Sequence, residues 1–522
     1  MIEPFLPIGV QNFERMMTGN FLYVDKTQYI YEMLRPGQGF YFLSRPRRFG
    51  KSLTVSTLRC LFQGKKELFD GLWIADSTEW EWKPHPVVLL DFNGISHDNP
   101  ENLKLSLQRS LMKTAERYGL LSDAPLLKDQ FKELILSLYS KTGTPVVILI
   151  DEYDKPLIDH LGKGEKALEI AKANREILKY FFGVIKDGDV STALRLVFIT
   201  GVSKFSRVSI FSELNNLEDI TMAEPYADML GYSQEEVEKY FMPYIRQVSK
   251  KTGKPLPEMT EMLERYYNGY RFSKRDIRVY NPFSVLSALK QEDFRNYWFE
   301  TGTPTFLVNL LKELDYPVAK IENLQLDEQI FSVYEIECLQ PEALLYQTGY
   351  ITIRDIEDNI YSFQYPNQEV RISFLKFLVF SYIPGNGNDK SLFLRLSGFL
   401  KQENTDAFIE TVTAIFASIP YALETKRDQA YFHTVFYLMV CASGVNAQSE
   451  IMTCKGRIDL VMEFPDKIYI IEFKCNQSAE AGIAQIRDRG YADRYKQHGK
   501  KIILMGINFD TEKRNVSEWK IA

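Results

Sequence analysis

Two clusters of residues in this chain have the types and spacings that phosphate chemistry demands. The first is Ser44-Arg45-Pro46-Arg47-Arg48-Phe49-Gly50-Lys51-Ser52. A Gly-Lys-Ser that follows a strand and opens a helix is the context of a phosphate loop. Backbone N–H groups and the helix N-terminus would cradle a β-phosphate, Lys51 would reach the β- and γ-phosphates, and the Ser52 hydroxyl would ligate Mg²⁺. The general pattern has glycine where this chain has Arg45, so the loop entry must accept a side chain. The apolar run 146–150 ends in Asp151 and Glu152. Asp151 can hold the Mg²⁺ shell near Ser52, and Glu152 can orient or deprotonate the attacking water. Adjacent carboxylates repel, which argues for a cation between them; the plainer alternative is a strand followed by a solvated acidic turn. Asp154 reads as turn chemistry or as support for its neighbours. A further buried strand ends in Thr200 and Ser203, either of which could place a polar sensor near a γ-phosphate.

The second cluster is Gly456-Arg457-Ile458-Asp459 followed by Ile470-Ile471-Glu472-Phe473-Lys474. Strand alternation puts Glu472 and Lys474 on one face, with Ile468 and Ile470 before them. A carboxylate and an ammonium closing an apolar strand are costly to desolvate unless paired or metal-bound. A short hairpin would bring Asp459 beside Glu472. Two such hard oxygen ligands suit Mg²⁺ or Mn²⁺, and phosphodiester hydrolysis needs a divalent ion to neutralise developing charge and acidify water. The Phe473 carbonyl could add a ligand, and Lys474 would position or deprotonate the attacking water. The bland alternative is a salt-bridged pair of strands.

The elements needed to position these residues are visible in the hydrophobic pattern. Segments 40–43, 87–92, 146–150 and 195–200 are short, apolar and β-branched or aromatic, and longer helical-period segments such as 103–118 and 165–182 separate them. Strands alternating with helices predict a doubly wound parallel sheet. From about residue 233 the texture becomes mostly helical, and the last hundred or so residues return to α/β, with paired strands at 457–464 and 467–474, a helix at 479–489 and a strand at 501–509. The expected division is 1–285, 286–415 as a mostly helical connection, and 416–522.

Composition limits the partners. The 522 residues carry 63 Lys and Arg against 69 Asp and Glu, a net charge of −6, with 45% hydrophobic residues. This excludes a disordered chain and a polybasic coat for nucleic acid, but not a local groove. Residues 425–522 alone carry 15 Lys and Arg against 12 Asp and Glu, the sign that phosphate contact requires. Five cysteines, none in a C-x-x-C pair, argue against a disulfide framework and for a reducing cytoplasm. No signal peptide and no membrane-length apolar run are visible, so no membrane partner is expected.

The stretch Phe42 to Leu53, with Tyr23-Val24-Asp25-Lys26-Thr27 upstream and Asp151-Glu152-Tyr153-Asp154 downstream, resembles the bacterial AAA-ATPase-like family, in which R-P-R-R-F-G-K-S replaces the glycine-rich loop. The resemblance extends over residues 1–285 and implies an ATP-binding P-loop fold. Its nucleotide site would comprise Arg45, Pro46, Arg47, Arg48, Phe49, Gly50, Lys51, Ser52, Asp151 and Thr200. Arg47, Arg48 and Arg207 are candidate arginine fingers or phosphate-positioning cations. The tail resembles the PD-(D/E)XK nuclease superfamily over residues 420–520, including Tyr431-Phe432-His433 and Gly506-Ile507-Asn508-Phe509. That likeness implies that Gln485 and Tyr491 flank the site with Asp459, Glu472 and Lys474. An ideal helix would set Gln485 and Tyr491 about 240° apart, so convergence needs Gly490 to break it. Glu450, or failing it Glu424, is the upstream glutamate that such nucleases often carry. The expected function is an ATP-binding and hydrolysing protein whose P-loop domain is coupled to a Mg²⁺- or Mn²⁺-dependent nuclease-like domain acting on nucleic acid, DNA before RNA; oligomerisation is open. The alternative is an ATP-driven switch or scaffold whose tail binds nucleic acid or protein without cutting. A sugar or nucleotide kinase is disfavoured by the tail motif and the lack of an evident lid.

Overall fold

A computed structural model describes residues 3–121, 124–204, 210–211, 214, 216–301, 305–314, 316, 318, 321, 324–331, 340–382, 390–417, 419, 429–453 and 455–522. Arg207, Glu424, Cys338 and Cys454 lie outside them. The chain forms two compact units, one of Met1–Leu310 and Leu326–Ser362, the other of Leu311–Gln325 and Phe363–Ala522. The segment 286–415 is therefore shared between the units. Among the described residues no helix is long and apolar enough to cross a membrane.

The first unit is built on a sheet of strands β1 (Gly39–Ser44), β2 (Val87–Asp91), β3 (Val146–Asp151), β4 (Leu194–Gly201) and β5 (Glu218–Asp219), in the order β2-β3-β4-β1-β5. Every pair is parallel. Parallel strands need helical crossovers that cover both faces, so these strands read as continuous apolar runs; β3 is buried at every position. Helix α1 (Lys51–Phe62) follows β1 directly, and α2 (Pro100–Arg117), α3 (Leu127–Thr142) and α4 (Glu165–Phe182) are the longer covering helices. The start of α2 is marked by Asn99, whose side chain accepts the Asn102 N–H, and by Pro100 in the first turn. Its Leu103, Leu107 and Leu111 recur every four residues and are buried in the sheet's core. This order places the carboxyl ends of β1, β3 and β4 side by side, with Leu43 paired to Thr200 and Asp91 to Asp151. Strand β4 lies between the loop strand β1 and the acidic strand β3, the plan that a sensor at its end requires.

The second unit carries strands β6 (Asn446–Thr453), β7 (Gly456–Glu463), β8 (Lys467–Cys475), β9 (Lys501–Asp510) and β10 (Asn515–Ile521), paired in that order. Only β8 and β9 pair in parallel. Their crossover contains helix α6 (Ala479–Asp488). Helix α5 (Gln429–Ala442) lies against the opposite face, with His433 and Phe436 on Phe473.

Candidate nucleotide and metal sites

In the first unit the chain leaves β1 at Ser44, turns through residues 45–50 and enters α1 at Lys51. Gly50 caps that helix in the left-handed region, at φ 95°, where glycine avoids the steric cost of a side chain. Arg48 at φ 70° and Glu152 at φ 57° adopt the same region without being glycine. Such conformations cost about 1–3 kcal/mol and persist where surrounding structure holds them; both residues line one cavity of about 570 Å³, within the range of small-molecule sites, about 300–1,000 Å³. Arg47, Phe49, Gly50, Lys51 and Ser52 also line it, as do Asp91 and Asn93 at the end of β2.

The Lys51 ammonium donates to the carbonyls of Arg45 (3.0 Å) and Pro46 (3.1 Å) and lies 3.6 Å from Glu152 Oε1. The Ser52 hydroxyl bonds the Asp151 carboxylate. Asp151 is 3% exposed and its Oδ1 has no hydrogen-bond partner. Burial, aided by the nearby Glu152 charge, pushes its carboxyl up to about 6. An acid this buried has lost solvation, and a cation at Oδ1 would restore what water no longer supplies. The Ser52–Asp151 pair thus fits a hard divalent ion.

Three expected nucleotide contacts are corrected. Arg45 is 1% exposed and does not reach the cavity. Its guanidinium donates to the carbonyls of Ser44 (2.9 Å), Thr221 (2.7 Å) and Tyr226 (3.1 Å) and stacks 4.3 Å from the Phe272 ring. Desolvation lowers it to about 10. Pro46 likewise faces away, contributing its carbonyl to Lys51. Thr200 is fully buried, and its hydroxyl donates to the Leu43 carbonyl at 2.8 Å, so no γ-phosphate sensor sits there. Phe49 is buried against Tyr270 and Phe272 and anchors the loop from behind. Asp154 accepts the backbone N–H and hydroxyl of Ser203, both at 2.7 Å, and so ties the end of β4 to the acidic turn. Asp91 was missed by sequence reasoning, although its signature, an apolar strand closed by a carboxylate, matches that of β3.

In the second unit Asp459 Oδ2 accepts the Phe473 backbone N–H at 2.8 Å, which fixes it across the ladder from the Glu472–Lys474 strand. Lys474 donates to Glu472 Oε1 (3.2 Å) and to Gln485 Oε1 (2.7 Å), while the Gln485 amide donates back to Glu472. Lys474 is thus held between Glu472 and Gln485 rather than bridging both carboxylates. Glu472 is 2% exposed, and its Oε2 has no partner. Burial first, and the facing Asp459 charge second, push it up to about 7. Asp459 is also raised, mainly by burial. Two buried carboxylates, one raised in part by the other's charge and carrying a bare oxygen, are a donor set that a divalent ion would satisfy. Among the described residues no group of three or more His, Cys, Asp or Glu is placed to hold a metal ion.

Gln485 arrives through close backbone packing. A Cβ on Gly482 would lie 3.1 Å from the Glu472 carbonyl and from Gly506 Cα, and one on Gly506 would lie 2.0 Å from the Ala479 carbonyl. Helix α6 can settle onto β8 and β9 only because both positions are glycine, and Gln485 then falls on the Glu472–Lys474 face. Gly490 does break the helix, at φ 62°, yet Tyr491 does not join the site. It is 2% exposed among Ile458, Ile470 and Ile486, with its hydroxyl against Gly456. Glu450 pairs with Arg457 at 2.9 Å, and His433 lies 4.0 Å from it. The imidazole, lowered by burial, bonds the Asp459 backbone; no local sequence signal placed His433 there.

Comparison with known proteins agrees with this division. A family model described as predicted AAA-ATPase matches residues 7–211, and one for the PD-(D/E)XK nuclease superfamily matches residues 427–519. A protein of Azotobacter chroococcum mcd 1, described as an uncharacterized protein in the vnfD 5′ region, is 36% identical over 523 residues, covering 98% of this chain and 97% of its own. Among solved structures, Cdc6p from Pyrobaculum aerophilum is 12% identical over 66% of this chain and 89% of its own, with a TM-score of 0.24. The ORC2 protein of Aeropyrum pernix, solved as ADPNP–ADP complexes, is 12% identical over 65% and 87%, with a TM-score of 0.25.

Proposed function

The chain belongs to the AAA-ATPase-like family and carries a tail of the PD-(D/E)XK nuclease superfamily, and from that premise we propose that it binds and hydrolyses ATP in its first unit and cuts nucleic acid in its second. The observation that carries this reading is common to both units. Each holds one buried carboxylate oxygen without a partner, Asp151 Oδ1 and Glu472 Oε2, beside a lysine on the same site.

Ser52 and Asp151 would hold Mg²⁺ in the first unit, and Asp459 and Glu472 would hold Mg²⁺ or Mn²⁺ in the second, where a bound ion neutralises charge on phosphoryl oxygens and acidifies water. Lys51 exchanges its loop carbonyls for the β- and γ-phosphates. Arg47 and Arg48 add positive charge to the cavity wall, and Glu152 orients the attacking water. In the tail Lys474, fixed by Glu472 and Gln485, positions water and stabilises charge on the phosphate. Nucleotide in the first unit governs the tail's action on nucleic acid.

The test is cleavage of labelled duplex and single-stranded DNA and RNA with Mg²⁺ or Mn²⁺, with and without ATP, by wild type and Lys474→Ala. Cutting that needs the metal and is lost in the variant supports the proposal. Metal- and ATP-saturated protein that binds these substrates but leaves all of them intact overturns the nuclease half in favour of a binding tail.

A further inference from the structure

The acidic turn that carries Glu152 also carries a lysine. Lys155 follows Glu152 by three residues, and both it and Asp159, four residues further on, line the same cavity. The chain between them is tied down. The Asp154 carboxylate accepts the N–H groups of Val202 and Ser203, at 3.1 and 2.7 Å, and the Tyr153 hydroxyl donates to the Ser203 carbonyl at 3.0 Å. The Asp154 carbonyl accepts from Leu157 and Ile158, so the short helix Lys155–Ile158 is fixed to the end of β4.

The Lys155 ammonium meets Asp159 Oδ2 at 2.9 Å, and the same oxygen lies 3.0 Å from His97 Nε2. His97 is anchored in turn. Its Nδ1 donates to the Ile95 carbonyl at 2.7 Å, and its own carbonyl accepts from His160 Nε2 at 2.8 Å and from the Asn174 amide at 3.0 Å. Burial works to raise the Asp159 carboxyl, yet the hydrogen bonds from His97 and Lys155 hold it well below the usual range. An exposed pair at i,i+4 adds little to stability, and a histidine braced by three further hydrogen bonds is more than such a pair needs. What the bracing does supply is a lysine held in one place with N–H donors to spare, since an ammonium has three.

Phosphate chemistry gives that lysine a task. Among the described residues, the cations lining the cavity are Lys26, Arg47, Arg48, Lys51 and Lys155. Lys26 is taken by Glu236 (2.6 Å) and the Asp228 carbonyl (2.7 Å), and Arg48 lies 4.7 Å from the Phe283 ring. Arg47 and Lys51 belong to the loop, which holds the leaving diphosphate. In phosphoryl transfer the attacking and leaving oxygens lie in line across the γ-phosphorus. A water held by Glu152 attacks from the far side, so a cation on the Glu152 turn faces the γ-phosphoryl oxygens. Thr200, at the end of β4, is spent on the Leu43 carbonyl and leaves that task open.

We propose that Lys155, held by Asp159, is a catalytic residue of the first unit, a cation of the same chain that contacts the γ-phosphate and stabilises the charge developing on it. The inference rests on the ATP-hydrolysing reading above and adds this residue to it. In the step, a water oxygen bonds the γ-phosphorus while the bond to the bridging oxygen breaks and its electron pair leaves with ADP. One water proton goes to Glu152 and the other stays on the released phosphate.

Full-length wild type, Lys155→Ala and Lys155→Met are compared in three measurements: ATP turnover with Mg²⁺, with and without nucleic acid; binding of fluorescent ADP; and trapping of ADP by aluminium fluoride, which stands in for the γ-phosphoryl group in flight. Lys155→Met removes the charge and keeps the stem, so it carries the test should Lys155→Ala not fold. Both variants are expected to bind ADP within about threefold of wild type, to lose about a hundredfold or more in kcat, and to fail to trap ADP with aluminium fluoride. Trapping is the readout that a merely structural lysine would not move. Variants that turn over and trap as wild type does, or a Lys155→Met protein whose ADP affinity falls as far as its turnover, overturn the role of Lys155 and leave the ATPase reading standing. Wild type that binds no nucleotide, or binds ATP without hydrolysing it, overturns the ATPase reading and Lys155 with it.

Discussion

Glu472 and Asp151 are acids kept partly protonated by their surroundings, and this sets testable pH behaviour. Glu472 is held at about 7, well above an ordinary glutamate. A raised value means that the folded state binds the proton more tightly than the unfolded chain. Its stabilisation is complete below the unfolded value, about 4.3, and is lost as pH rises through about 7. A metal needs the ionised form and competes with that proton. Calorimetric Mn²⁺ affinity of the tail should therefore rise as pH approaches 7 and level off above it, and Glu472→Gln should remove the dependence together with the binding. Affinity that is flat from pH 5.5 to 8.5 would refute the metal role. At the other site Lys51 makes charge-assisted contacts worth about 1.5–3 kcal/mol each, so Lys51→Ala should weaken ATP binding by about 10–100-fold in a fluorescent-nucleotide titration.

Position in the fold explains which elements and residues could be read in the sequence. β1 to β4 were legible because strands buried on both faces are apolar runs with sharp ends, and the acidic end of β3 was read on the same basis. β5 has two residues and carries no pattern. Helix α5 is buried on nearly every side, so it lacks the polar stripe that would set its period. The carboxylates and Lys474 were legible because their spacing is local, whereas Gln485 came from the family likeness alone. The side chains of Arg45, Thr200 and Tyr491 were misassigned because long-range partners decide where they point: Thr221 and Tyr226, Leu43, and Gly456. The seat of α6 on β9 yields its own prediction. Gly506→Ala would force a Cβ into the Ala479 carbonyl, costing about 1–3 kcal/mol as overpacking does. Gln485 would be displaced from Lys474. Mn²⁺ affinity and cleavage should drop while ATP binding holds, and a variant with wild-type metal affinity would show that the glycine contact does not set the site.

Two compact units with separate ligands should respond separately to them. A ligand that binds only the native state stabilises it by about 2.7 kcal/mol at a hundred times its Kd. Scanning calorimetry of the whole chain should show ATP·Mg²⁺ raising one transition and Mn²⁺ raising another. Lys51→Ala should shrink the first shift and spare the second. A single transition moved equally by both ligands would contradict two units that unfold separately.

The buried Arg45 also limits how far this phosphate loop can be transplanted. Two of its acceptors, Thr221 and Tyr226, stand 176 and 181 residues away along the chain. A nonapeptide copied into a foreign scaffold would bring the guanidinium but not its receivers, and would leave a cation stranded in an apolar interior. Conversely, exchanging Arg45 for the glycine of the general pattern would strip donors from those carbonyls. The two versions of the loop are therefore not interchangeable parts, and a chimera would need the receiving segment to travel with the motif.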